Sequence, residues 1–153
     1  RLEQGKPPLN ICLVFDDFAS QKLNKARKGK NSNPLETLLI TPRHECMATV
    51  IYASQVYKNG GFSTPLARNN MTDWIIYRMS KPEMEKIAED HCGSLMDKSE
   101  FLDWYNVVMM DKHNFITIRM REPMETRYRE KFLKVYVPKY IQEHLIHIKY
   151  LIF

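Results

Sequence analysis

The sequence predicts an α/β fold with a mostly parallel sheet flanked by helices, on three observations. An apolar run, Ile11–Cys12–Leu13–Val14–Phe15, ends on two carboxylates, Asp16 and Asp17. Such a run fits a strand covered on both faces, with its first polar residues at the carboxyl end, where open sheets place their ligands. Two more apolar runs, Met47–Ala53 and Thr72–Tyr77, follow it, and segments with loop and helix signals separate the three. Strands alternating with helices argue for parallel pairing through crossovers.

The elements follow in order. After the first strand, Ala19 to Asn33 carries Lys22, Lys25, Arg27, Lys28 and Lys30 and then Gly, Asn, Ser and Pro. That composition reads as a solvated loop, and closely spaced cations of this kind also suit a nucleic-acid backbone. Asn33–Pro34–Leu35–Glu36 starts a helix, with Asn at the cap and Pro in the first turn, ending near Pro42–Arg43–His44. The strand Met47–Ala53 runs out at Ser54–Gln55. Asn59–Gly60–Gly61 and Pro65 then lead through Leu66–Ala67–Arg68–Asn69–Asn70 to the strand Thr72–Tyr77.

Ser80–Lys81–Pro82–Glu83 opens a helix with Ser as cap and Glu at the capping-box position; Met84, Ile87 and Ala88 form its apolar stripe and Gly93 stops it. Ser99–Glu100–Phe101 opens another, with Phe101, Leu102, Tyr105, Val108 and Met109 at helical spacing, and Phe115–Ile118 is a short fourth strand. From Pro123 to Lys134 the chain reads as charged helix. Arg119, Arg121, Arg127, Arg129, Lys131 and Lys134 beside Glu122, Glu125 and Glu130 make a solvated face. Beyond Pro138, Ile141, Leu145, Ile148 and Ile152 keep helical spacing, while Leu145–Phe153 also alternates like a strand.

With 153 residues the chain is long enough for one domain or most of one. Its 23 basic and 18 acidic residues leave a formal charge of +5, which permits a nucleic-acid partner without demanding one. No stretch is apolar enough for a membrane span, and the charged start is no signal peptide. Three cysteines, Cys12, Cys46 and Cys92, with no CxxC spacing, fit a reduced intracellular compartment. The first residue is Arg1, almost directly ahead of the first strand. Gly5–Lys6–Pro7 lacks the earlier Gly and the Ser/Thr of a phosphate-binding loop, so a preceding N-terminal portion is expected.

Polar residues stand at successive strand ends: Asp16–Asp17, then Ser54–Gln55, then the Arg68 segment before the third strand. In a nucleotide hydrolase one acid holds Mg²⁺ through water, its neighbour orients the attacking water, and a Gln on the next strand reaches water or phosphate. Each residue singly also fits an ordinary strand end. His44, Cys46, His91 and Cys92 lack the usual zinc spacings. Trp74 and Trp104 are expected in the core or at its edge.

The combination Asp16–Asp17, Arg43–His44, a strand ending in Gln55, and Arg68–Asn69 resembles the segment that begins at Walker B in DNA-packaging ATPases. These are the ATPases of poxviruses, other large DNA viruses, virophages and Polinton transposons, relatives of the FtsK–HerA pumps. The resemblance spans roughly Leu9 to Glu89; Walker A is absent from this chain, and the basic loop and the tail past Pro123 match nothing in the family. It implies a partial P-loop NTPase of the additional-strand, RecA/FtsK-like type over residues 1–122, followed at 123–153 by an extension, helical in its first part and open between helix and strand at its end. ATP and Mg²⁺ would be the cofactors, with Asp16 holding Mg²⁺, Asp17 orienting water and Gln55 sensing the γ-phosphate. Arg43 or Arg68 would act as an arginine finger across a homo-oligomeric ring, and a finger must be exposed. Lys22, Lys25, Arg27, Lys28 and Lys30 would meet double-stranded DNA. The implied location is a viral assembly site in host cytoplasm or nucleus, or the virion. The strands Leu9–Phe15, Met47–Ala53 and Thr72–Tyr77 should then lie parallel, with Asp17 and Gln55 at one carboxyl edge. The competing reading is a non-catalytic nucleic-acid-binding or assembly module, supported by the missing Walker A and the basic loop.

Overall fold

A computed structural model describes residues 11–16, 48–57, 65–93 and 95–144. The chain divides into two compact units, Arg1–Asn70 and Met71–Phe153.

In the first unit, β1 (Ile11–Phe15) and β2 (Ala48–Tyr52) pair in parallel, in register from Ile11↔Ala48 to Phe15↔Tyr52. The amide of Ala53 donates to the carbonyl of Phe15 at 2.8 Å and carries the ladder one step further. The six-residue helix α1 (Pro65–Asn70) follows, opened by a proline whose fixed φ suits the first helical position. The expected parallel pairing of the first two strands is present, but burial on both faces is not. Leu13, Phe15, Val50 and Tyr52 share one half-buried face. On the other face Val14 and Ile51 pair side by side and are 65% and 50% exposed. With a side-chain period of two, covering a single face leaves half of an apolar run in solvent.

The third expected strand does not join this pair. β3 (Asp73–Ile76) lies in the second unit, in a four-stranded antiparallel sheet ordered β3-β4-β5-β6, with β4 at Ile116–Arg119, β5 at Tyr128–Glu130 and β6 at Lys134–Tyr136. Trp74 opposes Ile118 and Ile76 opposes Ile116 on one face, while Ile75, opposite Thr117 on the other, is half exposed. An antiparallel neighbour thus gives β3 the apolar match that a place in one parallel sheet was expected to give. The observed fold is mixed α/β with a small parallel pair and an antiparallel sheet, rather than one mostly parallel sheet.

Between β3 and β4 run α2 (Lys81–His91) and α3 (Lys98–Val108). The stripe Met84, Ile87, Ala88 is buried as its spacing predicts, and so are Phe101, Tyr105 and Val108 of α3. Ile87, Phe101, Ile116, Ile118 and Tyr128 have no exposed surface and mark the centre of this core. Ser80 caps α2 by position but makes no side-chain cap bond.

The segment 123–134 is not the charged helix that its composition suggests. It holds one helical turn, α4 (Met124–Arg127), and then the β5–β6 hairpin. Tyr128 decides this: its ring meets Phe101 and Trp104, and its hydroxyl donates to the His91 carbonyl at 2.8 Å, a placement that fixes β5 against the core. The Glu130–Lys134 pair looks like an i,i+4 helical pair in sequence, yet it joins opposed residues of the hairpin at 2.6 Å. The hairpin Tyr128–Tyr136 therefore belongs to the same sheet as β3 and β4. A further helical turn covers 139–144, and residues past it lie outside the described ones.

Candidate functional site

Parallel pairing brings the carboxyl ends of β1 and β2 to one edge, and with them two of the candidate residues. Asp16 follows Phe15 directly and is exposed. Gln55, three residues past Tyr52, is also exposed. Ser54 shapes the exit of β2: its Oγ donates to the Val56 carbonyl at 2.8 Å and accepts from the Val56 amide at 3.2 Å, a local turn that leaves Gln55 at the bend. The edge thus displays a carboxylate and an amide, one able to hold a hydrated cation and the other to donate and accept hydrogen bonds.

Arg68 stands in the last turn of α1, half-buried, with its guanidinium 5.3 Å from the centroid of the buried Tyr57 ring. A cation–π seat of this kind orients an arginine locally. It differs from the exposure expected of an arginine finger. Asp17, Arg43, Lys22, Lys25, Arg27, Lys28 and Lys30 lie outside the described residues, as does the helix expected after Asn33.

Among the described residues no group of three or more His, Cys, Asp and Glu is gathered as a metal would need. His91 is buried with its ring 4.8 Å from that of Trp74, and Cys92 is half-buried, its thiol pushed up to about 12 by desolvation and then by Glu100. Trp104 stacks on Tyr136 at 4.8 Å, so both tryptophans serve the second unit's packing.

The second unit also holds a polar cleft of about 330 Å³ that the sequence did not announce, lined by Asp97, Glu100, Asp103, Lys139, Tyr140 and Glu143 among others. Glu100 is committed within it: one carboxylate oxygen accepts from the Tyr136 hydroxyl at 2.8 Å and from the Lys139 amide at 2.7 Å. Burial first, and then the bond to Glu100, push the Tyr136 phenol up to about 12. The only sequence signal for this linkage was an acid in the first turn of α3.

No family model, curated protein or solved structure matches the chain. Among the described residues no helix is long and apolar enough to cross a membrane.

Proposed function

We propose that this chain carries the Walker B and sensor strands of an ATP-driven DNA-translocating motor, of the kind that packages the genomes of large DNA viruses and related transposons. One observation supports the reading most directly: β1 and β2 are parallel and adjacent, so that Asp16 and Gln55 leave the sheet at the same edge. In that role Asp16 holds Mg²⁺, Asp17 orients the attacking water and Gln55 meets the γ-phosphate. The phosphate-cradling loop would come from residues outside this chain, so the chain alone should bind Mg·ATP weakly or not at all.

The test is ATP hydrolysis by the full-length protein, with Asp17→Asn and Gln55→Ala variants. Losses of about 100-fold or more in kcat are expected when a group acting on transition-state charge or water is removed. A full-length sequence without a GxxxxGK[ST] loop ahead of Leu9 would remove the motor reading. Salt-sensitive DNA binding without hydrolysis would then leave the non-catalytic module.

A further inference from the structure

At one end of the second unit's sheet, three chain segments come together. β3 leaves there at Tyr77, β4 enters at Phe115, and β5 turns into β6 through Lys131–Phe132–Leu133. The rings form a chain, Tyr77 to Phe115 at 5.3 Å and Phe115 to Phe132 at 5.0 Å. Asn114, itself buried, ties the approach of β4 to the hairpin by donating to the Val108 carbonyl and to Glu130, each at 3.1 Å. From this braced base Phe132 and Leu133 project, 54% and 87% exposed. A lysine stands on each arm of the turn. Lys134 is 78% exposed although paired with Glu130, and Lys131 makes no ion pair among the described residues. Lys131 also holds φ at 54°, a left-handed conformation that glycine adopts at less cost.

We propose that this hairpin tip contacts duplex DNA, with Phe132 and Leu133 entering the minor groove and Lys131 and Lys134 meeting phosphates on its two walls. The apolar pair matches the side chains that wedge into minor grooves, and the flanking cations match the phosphate ridges. A bilayer, by contrast, favours a broad apolar face, and this tip is two residues across. The left-handed Lys131 is held by the fold itself, its amide donating to the Phe115 carbonyl at 2.9 Å and its carbonyl accepting from Thr117 Oγ1 at 2.5 Å, which fixes where the turn starts. The tip shares its partner with the packaging reading but not its site, so either can fail while the other stands.

The test is fluorescence anisotropy of a short labelled duplex with the chain over a salt series. Lys131→Gly should lower the slope of log affinity against log salt by about 0.9, and adding Lys134→Gln should lower it by about 0.9 more. The same Lys131→Gly change should leave the melting temperature unchanged or raised, which separates binding from folding. Phe132→Ser with Leu133→Ser should weaken binding about tenfold or more with the slope retained. The proposal is overturned if the chain binds no duplex at low salt. It is equally overturned if these variants bind as the parent does, which places DNA on other cations. Capture by anionic phospholipid vesicles that depends on Phe132 and Leu133, with DNA binding unaffected by them, makes the tip a lipid contact instead.

Discussion

In the first unit, β1 and β2 lie parallel through five register pairs and leave Val14 and Ile51 in solvent. In the second, strands of three and four residues form a sheet whose Ile116, Ile118 and Tyr128 are wholly buried. Local apolarity does not separate the two, because Ile11–Phe15 is the more continuous apolar run. What differs, among the described residues, is the supply of covering surface. α2 and α3 each present an amphipathic stripe, Met84–Ile87–Ala88 and Phe101–Tyr105–Val108, and the sheet residues are buried in the unit that holds those stripes. Burial is a property of partners, and a strand's own sequence specifies only what it could bury.

The largest expected effect sets these two regions against each other. Phe101→Ala removes a ring with no exposed surface and should destabilise the second unit by about 3–5 kcal/mol in urea unfolding. Ile51→Ala, at a half-exposed position, should cost about 1 kcal/mol or less. Equal losses would mean that the open face of β2 is covered in solution and would erase the contrast.

A smaller effect is expected where β3 ends. The Tyr105 hydroxyl accepts from the Met79 amide at 2.9 Å and donates to the Tyr77 carbonyl at 3.3 Å, so α3 pins the chain leaving the strand. Tyr105→Phe should cost about 1–2 kcal/mol, because the Met79 amide then loses its partner. Hydrogen exchange gives the sharper reading. Protection at Met79 should fall while that of the β4 amides barely changes.

Legibility followed the length of each periodic signal. The α2 stripe spans enough residues for the 3.6 period to show, and its buried positions are the ones that the spacing indicates. β1 and β2 were legible as strands, and so was their parallel pairing. The hairpin was not: strands of three residues carry too few alternations to announce themselves, and Glu130–Lys134 has the spacing of a helical pair. β3 was legible as a strand but not in its partner, since alternation fixes which face is apolar and leaves open which neighbour matches it. At the candidate site Asp16 and Gln55 leave at one carboxyl edge, while Asp17, for which that edge was expected, lies outside the described residues, and the Tyr57 ring beside Arg68 had no signature in spacing.

Acid should act on the second unit through Glu122. Its two carboxylate oxygens meet Arg119 and Arg129, each at 2.5 Å, and the Arg129 bond foremost holds the group below its ordinary value of 4.5. Glu130 is lowered in the same sense, first by Lys134 and then by Asn114. A carboxyl depressed on folding contributes stability that is present above its unfolded value and is lost as pH falls through the lower folded one. The melting temperature of the second unit should therefore hold near neutrality and decline below about pH 4.5. In Glu122→Gln that decline should be shallower. A variant whose acid limb overlays that of the parent would show that the Arg129 pair is formed in the unfolded chain as well, or in neither state.

The smallest expected effect lies at Ser80, where sequence and structure part most narrowly. Ser followed by Glu three residues on is a capping-box signature, and losing such a cap commonly costs about 1 kcal/mol. Here Ser80 sits at φ −66° and ψ 154°, the extended geometry of a cap, yet its hydroxyl makes no cap bond. The first turn is closed instead by the backbone, with the Met84 amide donating to the Ser80 carbonyl at 3.1 Å. Pro82 in the first turn has no amide to satisfy, which reduces what a capping oxygen could contribute. Ser80→Ala should thus change stability by no more than about 0.3 kcal/mol, well under the usual value for a lost cap. A measured loss near 1 kcal/mol would place the hydroxyl on the helix amides in solution, and the start of α2 would then be set by its side chains as the sequence pattern implies.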